Sequence, residues 1–187
     1  MQSGQGVRST QPKVQQQQQQ VPALPNTNDL HIIVEPISKL YTDDTGRFPS
    51  KARSGNQYLM IAFHSDTNAI LVAPFKSRKD SHRMLNYNEI IQRLKEKNQH
   101  VDLQILDNEA SAEYKKLMTE TWKVDYQCMP PDNHRRNVAE RAIPTFKAHF
   151  IAVLAGIATD YPRNLWDLLL PQTEMTLNLL RQSNKDL

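Results

Sequence analysis

YTDDTGRFPSKARSGNQYLMIAFHSDTNAILVAPF, residues 41–75, holds a polar strand end, a turn-rich loop and two apolar runs, in that order. QYLMIAFH (57–64) and AILVAPF (69–75) are separated only by SDTN (65–68). Apolar runs joined by a short polar turn predict a β-hairpin. ISKLYTDDTG (37–46) reads as an extended piece ending at Gly46, and RFPSKARSGN (47–56), with Pro49, Gly55 and Asn56, reads as a loop. A strand followed by the hairpin gives a three-stranded antiparallel start. Upstream, HIIVEP (31–36) is a further short apolar run closed by a proline.

Past the hairpin the pattern changes period. In DSHRMLNYNEIIQRLKEKN, Met84, Tyr87, Ile90, Ile91 and Leu94 recur at helical spacing, with Asp80 as the expected cap. VDLQILDN (101–108) is the next expected strand, and Ser111 caps the helix expected over SAEYKKLMTETW. KVDYQCM (123–129) is a strand stopped by Pro130 and Pro131. Helices are expected over NVAERAIPTFKAHFIAVLAGI and NLWDLLLPQTEMTLNLLRQS. The order β-β-β-α-β-α-β-α-α, with strands alternating with helices in its second half, implies right-handed crossovers and parallel strands there. The expected class is α/β: a mixed five-stranded sheet, three antiparallel strands then parallel ones, with helices on both faces.

Composition bounds the rest. With 187 residues, 39% of them apolar, the chain fits one domain plus an appendage. The appendage is expected at residues 1–28, which include six consecutive Gln (15–20) and no acid, a segment too polar to offset its ordering entropy. The domain is then 29–187. No secretory signal is visible, and the longest apolar stretch, FIAVLAGIA (150–158), is about half a membrane span. A nuclear or cytoplasmic protein with no membrane partner is expected. The net charge is +3, but Arg8 and Lys13 supply +2 of it, so overall charge says little about nucleic acid. Local clusters say more: Lys76, Arg78, Lys79 and Arg83; Arg93, Lys95 and Lys97; Arg135, Arg136, Arg141 and Lys147. Each reads either as a solvated face or as a phosphate contact. The one cysteine, Cys128, excludes an internal disulfide and a Cys-rich zinc site, and is expected to be a buried thiol.

Three carboxylates stand out. Asp43 lies near the end of the first strand of the antiparallel start, Asp107 at the end of the fourth, and Glu140 one turn into the following helix. Neighbouring strands would bring the two aspartates to one edge of the sheet. In such sheets reactive groups gather at strand ends where the connections change direction. Crowded carboxylates need a cation, and an oxygen-only donor set suits Mg²⁺ or Mn²⁺ rather than zinc. Caps and solvated groups are the plain alternative for each.

YTDDTGRFP followed by GNQYLMIAFHSD, LQILDNEASAEY, MPPDNHRRNVAERAIPTFKAH and LWDLLLPQTEMTLNLL together resemble the catalytic core of copia-type retrotransposon integrases, a branch of the retroviral integrase superfamily with a ribonuclease-H-like fold. The resemblance spans residues 39 to 180. It implies that Asp43, Asp107 and Glu140 are catalytic and hold Mg²⁺ or Mn²⁺ for 3′-end processing and strand transfer. It implies DNA as partner, both retroelement ends and target, and a homo-oligomer. By position, Arg136, Arg141 and Lys147 are the expected phosphate contacts. Four departures stand against the pattern. The 33 positions from Asp107 to Glu140 are slightly few, and Asn137 and Glu109 stand where glycines are usual. Pro144 removes a helical N–H and should clash with the carbonyl of Glu140, kinking the turn that carries it. Neither a zinc-binding module nor a C-terminal DNA-binding module is visible, as expected of a fragment or degenerate copy.

Other readings stay open. Asp44-Thr45-Gly46 spells the D-T-G of aspartic proteases, although Asp43 and Arg47 beside it suit a tight turn better. A ribonuclease-H-type nuclease would have the same fold, with Asp66 or Glu109 as an extra ligand. A nucleic-acid-binding module whose active site has decayed is the third. His64 is expected to be a packed strand-end residue, His134 a phosphate contact or surface group, and Trp122 and Trp166 core residues.

Overall fold

In the computed structural model the chain divides into two units, Met1–Glu35 and Pro36–Leu187. The described residues are 37–106, 110–129 and 138–184 of the second unit. HIIVEP, Asp107, Glu109, His134 and Arg136 lie outside them.

The elements run β1 (Lys39–Asp44), β2 (Tyr58–His64), β3 (Ala69–Phe75), α1 (Asp80–Glu96), β4 (Leu103–Leu106), α2 (Ala112–Lys116) continued by a π-helical stretch (Leu117–Trp122), β5 (Asp125–Cys128), α3 (Val138–Gly156), a 3₁₀ stretch (Arg163–Leu169) and α4 (Leu170–Leu179). The five-stranded sheet has the order β3-β2-β1-β4-β5. β2 runs antiparallel to both of its neighbours, β1 and β3, while β4 and β5 run parallel to β1. The expected mixed sheet is the one observed.

Side-chain alternation explains the layering. Leu40, Met60, Ala62, Leu71, Ala73 and Phe75 pack against α1 and α2. Leu59, Ile61, Phe63, Ile70 and Val72 pack against α3 and α4. β2 and β3 are apolar along nearly their whole length because both their faces are covered. Ser111 caps α2, its hydroxyl accepting from the Tyr114 N–H. Asp80 does not cap α1. The N-cap is Lys79, which makes no side-chain cap bond, and Asp80 sits in the first turn facing Arg83 at 3.6 Å. Trp166 is buried as expected, whereas Trp122 and Cys128 are only half-buried. Among the described residues, no helix is long and apolar enough to cross a membrane.

β3 is an edge strand, and side chains close its outer edge. Asn178 of α4 accepts from the Ile70 N–H at 2.9 Å and donates to the Ile70 carbonyl at 2.8 Å. Glu174 of α4 accepts from the Val72 N–H at 2.8 Å, and Arg93 of α1 donates to the Val72 carbonyl at 3.1 Å. Arg93 and Glu174 pair with each other, joining the two helical layers across the edge. Pro74, next in the same outward series, has no N–H to satisfy.

Candidate active site

Asp43 and Asp44 are adjacent on β1 and therefore point to opposite faces of the sheet. Asp44 shares its face with Leu40 and Thr42, the α1 and α2 side. Its carboxylate accepts from Arg83 Nε at 2.7 Å with both partners largely shielded from water. That pairing is unlike a protease dyad carboxylate, and the D-T-G is not a tight turn either. Thr45 is buried and extends the ladder: its N–H donates to the Leu59 carbonyl at 2.8 Å, and its Oγ1 accepts from the Leu59 N–H at 3.0 Å.

Asp43 shares its face with Tyr41, on the side covered by α3. It pairs across the ladder with Ile61, which is in the α3 core. The Asp44 N–H donates to Asp43 Oδ1 at 2.7 Å, which fixes the carboxylate. Asp43 also lines a cleft of about 220 Å³ at the end of β1, with Asp44, Arg78, Arg83 and Tyr114 around it. Burial pushes the Tyr114 phenol well above its usual pKa, and the charges of Tyr87 and Asp44 add to the effect.

The phase of α3 places Glu140. Ala139, Ala142, Phe146 and Phe150 are the buried stripe. At about 3.6 residues per turn, Val138, Thr145 and His149 fall on one flank, and Glu140, Ile143 and Lys147 on the other. The first flank faces β3 and α4: Val138 and Thr145 line a depression with Asn68, Ile70 and Arg181, and His149 hydrogen-bonds Thr176 at 2.7 Å. The sheet continues from β3 through β2 to β1, so the Glu140 flank is turned toward β1. Asp43 and Glu140 thus lie on one face of the sheet, both half-buried. Arg141 lines the depression beside Asn68, away from the Glu140 flank, while Lys147 is exposed on that flank.

Pro144 lies on the exposed side of a single helix that runs from Val138 to Gly156, so it does not end the helix that carries Glu140. Asp66, in the hairpin turn, sits at the end of the sheet where β1 begins, too far along β1 to join Asp43. Among the described residues, no group of three His, Cys, Asp or Glu is clustered to hold a metal ion. The donors that share the α3 face, Asp43 and Glu140, are carboxylate oxygens, a set that fits Mg²⁺ or Mn²⁺. His64 is fully buried, held by Ser38 Oγ at 2.9 Å and Thr67 Oγ1 at 2.8 Å, and is structural. The Arg83–Asp44 pair and the cleft at Arg78 were invisible in the sequence: Arg83 is visible there only as one of a run of cations.

No protein-family model matches the chain, and no curated protein matches it. Solved structures do. A chain of the simian T-cell lymphotropic virus intasome, determined in complex with the PP2A regulatory subunit B56 gamma, superposes with a TM-score of 0.64 at 18% identity, over 80% of this chain and 53% of that one. The HTLV-2 integrase catalytic core domain, solved with magnesium in a dimeric form, gives 0.59 at 16% identity, over 79% and 90% of the two chains. The BIV integrase catalytic core domain gives 0.57 at 15% identity, over 78% and 86%. The chain therefore has the fold of retroviral integrase catalytic cores and spans about half of the simian virus chain.

Proposed function

We propose that this chain is the catalytic core of an integrase-type polynucleotidyl transferase that processes and joins DNA ends, with Asp43, Asp107 and Glu140 as its catalytic carboxylates. The observation that carries the reading is the common placement of Asp43 and Glu140 on the α3 face of the sheet, with Asp44 turned away into an ion pair with Arg83. The parallel register adds support. β1 pairs with β4 as Lys39↔Leu103, Leu40↔Gln104 and Tyr41↔Ile105, so β4, the strand that precedes Asp107 in the sequence, lies beside the strand that carries Asp43. The copia-type affiliation rests on the sequence motifs around these residues, and DNA partners and homo-oligomeric assembly follow from the same resemblance.

Bound Mg²⁺ or Mn²⁺ would supply charge stabilisation to the attacking and leaving oxygens of phosphoryl transfer. The chain's own part is orientation. The Asp44 N–H holds Asp43 Oδ1, Thr45 locks the strand end against β2, and the half-buried setting of Asp43 and Glu140 limits access of water. Lys147, exposed on the Glu140 flank, is the phosphate contact this reading assigns to α3.

The test is a Mn²⁺-dependent strand-transfer assay on terminal-repeat DNA. Wild type should yield joined products. Asp43→Asn and Asp107→Asn should each lower the rate by about 10²–10⁴-fold, the equivalent of several kcal/mol of transition-state stabilisation. Asp44→Asn should retain activity wherever the protein stays folded. Equal activity of wild type and Asp43→Asn, or no metal-dependent product from wild type, would sink the reading.

A further inference from the structure

Two segments leave the sheet at the end where β1 finishes. The β1–β2 loop, residues 45–57, carries Arg47, Lys51 and Arg53; the β3–α1 connection, residues 76–79, carries Lys76, Arg78 and Lys79. Neither contains Asp or Glu. All of these cations are exposed, and no described acid pairs with any of them. These six cations form a positive pole at this end of the sheet, beside the carboxylates of Asp43 and Asp44 at the finish of β1 and of Asp80 at the start of α1.

The loop is anchored rather than merely solvated. Phe48 stacks on Trp166 with ring centroids 4.4 Å apart, and Ala52 is buried in the α3 core. Trp166 Nε1 donates to the Ser50 carbonyl at 2.9 Å, and the Arg53 N–H donates to the Asn164 carbonyl at 2.7 Å. Ser54 and Asn56 both donate to Asp167. Its inward positions are thus apolar or hydrogen-bonded, and its outward positions carry cations. Gly55, at φ +96°, lets the loop lie along the Lys76 stem, where a Cβ would meet Lys76 Cδ at 3.6 Å. Arg78 is set in place over the Tyr58 ring, 5.5 Å from its centroid, and donates to the Thr45 carbonyl at 3.3 Å. A rigid frame presenting charge of one sign suits a partner with repeating negative charge, because little ordering entropy is left to lose.

We infer that this pole is a nucleic-acid backbone surface, in which Arg47, Lys51, Arg53, Lys76, Arg78 and Lys79 contact successive phosphates of a strand led to Asp43. The inference rests on the reading of that edge as a polynucleotide site. It moves the main phosphate contacts from α3 to the two connections.

Metal-free binding of a fluorescent duplex tests it, titrated across salt. The triple variant Lys51→Gln/Arg53→Gln/Lys79→Gln is compared with Lys39→Gln/Lys97→Gln/Lys123→Gln at the opposite end of the sheet. Losing three phosphate contacts lowers the salt slope by about 2.7, so between about 50 and 200 mM salt wild type should lose about 40-fold more affinity than the pole variant. The far-end variant should behave as wild type. Equal slopes for both variants, or a wild type that binds anionic phosphatidylserine vesicles and not DNA, overturn the inference. Strand-transfer activity reports separately. A pole variant that loses binding while wild type shows no metal-dependent joining leaves the surface standing without the enzyme, and a pole variant that binds as wild type does while Asp43→Asn abolishes joining leaves the enzyme standing without the surface.

Discussion

Replacing Glu174 with alanine would open the outer edge of β3. Glu174 is 8% exposed and accepts the Val72 N–H at 2.8 Å while pairing with Arg93. Removing the carboxylate leaves a buried amide without its acceptor, which costs about 1–3 kcal/mol, and also removes a charge-assisted bond to a guanidinium. That second loss is discounted because the Arg93 side chain is 29% exposed and keeps Glu89 at 3.8 Å and the Val72 carbonyl at 3.1 Å. The sum is about 3 kcal/mol, or a fall in Tm of about 6–12 °C for a domain of this size. Glu174→Gln keeps an acceptor for Val72 and should cost only about 1 kcal/mol. Burial raises the Glu174 pKa above its ordinary value, outweighing the opposing effects of Arg93 and the Val72 N–H, so its charge is not the stabilising element. The sign follows: an acid whose folded pKa is raised binds more protons folded than unfolded, so it lowers stability as pH rises from its ordinary range through its folded pKa. Glu174→Gln should flatten that segment of the stability curve. Thermal melts across pH, with amide exchange at Ile70 and Val72, measure all of this. Glutamine costing as much as alanine, or unchanged exchange at Val72 in the alanine variant, would refute the edge-capping argument.

Asn178→Ala removes both bonds to the Ile70 backbone and should cost about 2 kcal/mol, read by chemical denaturation. Thr45→Val keeps the size but orphans the Leu59 N–H, so a loss of about 1–2 kcal/mol is expected in the same assay. Pro144→Ala lets position 144 donate to the Glu140 carbonyl and should raise stability by about 1–3 kcal/mol, seen as a higher Tm. Burial raises the pKa of both Tyr87 and Tyr114. These phenols should stay protonated until alkali unfolds the protein, so their share of the tyrosinate absorbance should appear together with loss of structure rather than before it.

What the sequence disclosed, it disclosed through short-range chemistry. The hairpin, the helix of Met84 to Leu94 and the Ser111 cap each declare themselves within a few residues, by alternation, helical spacing or a capping hydroxyl. What it withheld depends on partners far along the chain. Thr45 looks like a turn residue in D-T-G, and only its pairing with Leu59 makes it a strand residue. Asp43 and Asp44 are indistinguishable by composition until β1 alternation assigns one to α3 and the other to Arg83. The placement of Arg141 away from Glu140 follows from the phase of a helix whose buried stripe became visible only on packing. The cap on β3 has no local signature, because Glu174 and Asn178 are ordinary polar positions of a helix until they meet Ile70 and Val72.

β1 is pinned at both ends, and this bears on how the molecule avoids errors while it folds. At its start the Ser38 N–H donates to Asp102 Oδ2 at 2.8 Å, and the Ser38 hydroxyl meets His64 and the His100 carbonyl; at its finish Thr45 exchanges two bonds with Leu59. A slip of one residue would exchange Asp43 for Asp44 on the α3 face and would break both pins at once. The register of β1 is thus held by the chain's own backbone and side chains at both ends of the strand. A mis-registered sheet would lose hydrogen bonds at two distant points, so the choice of which carboxylate faces α3 is tied to the pairing of β1 with β2 and with the segment before β4.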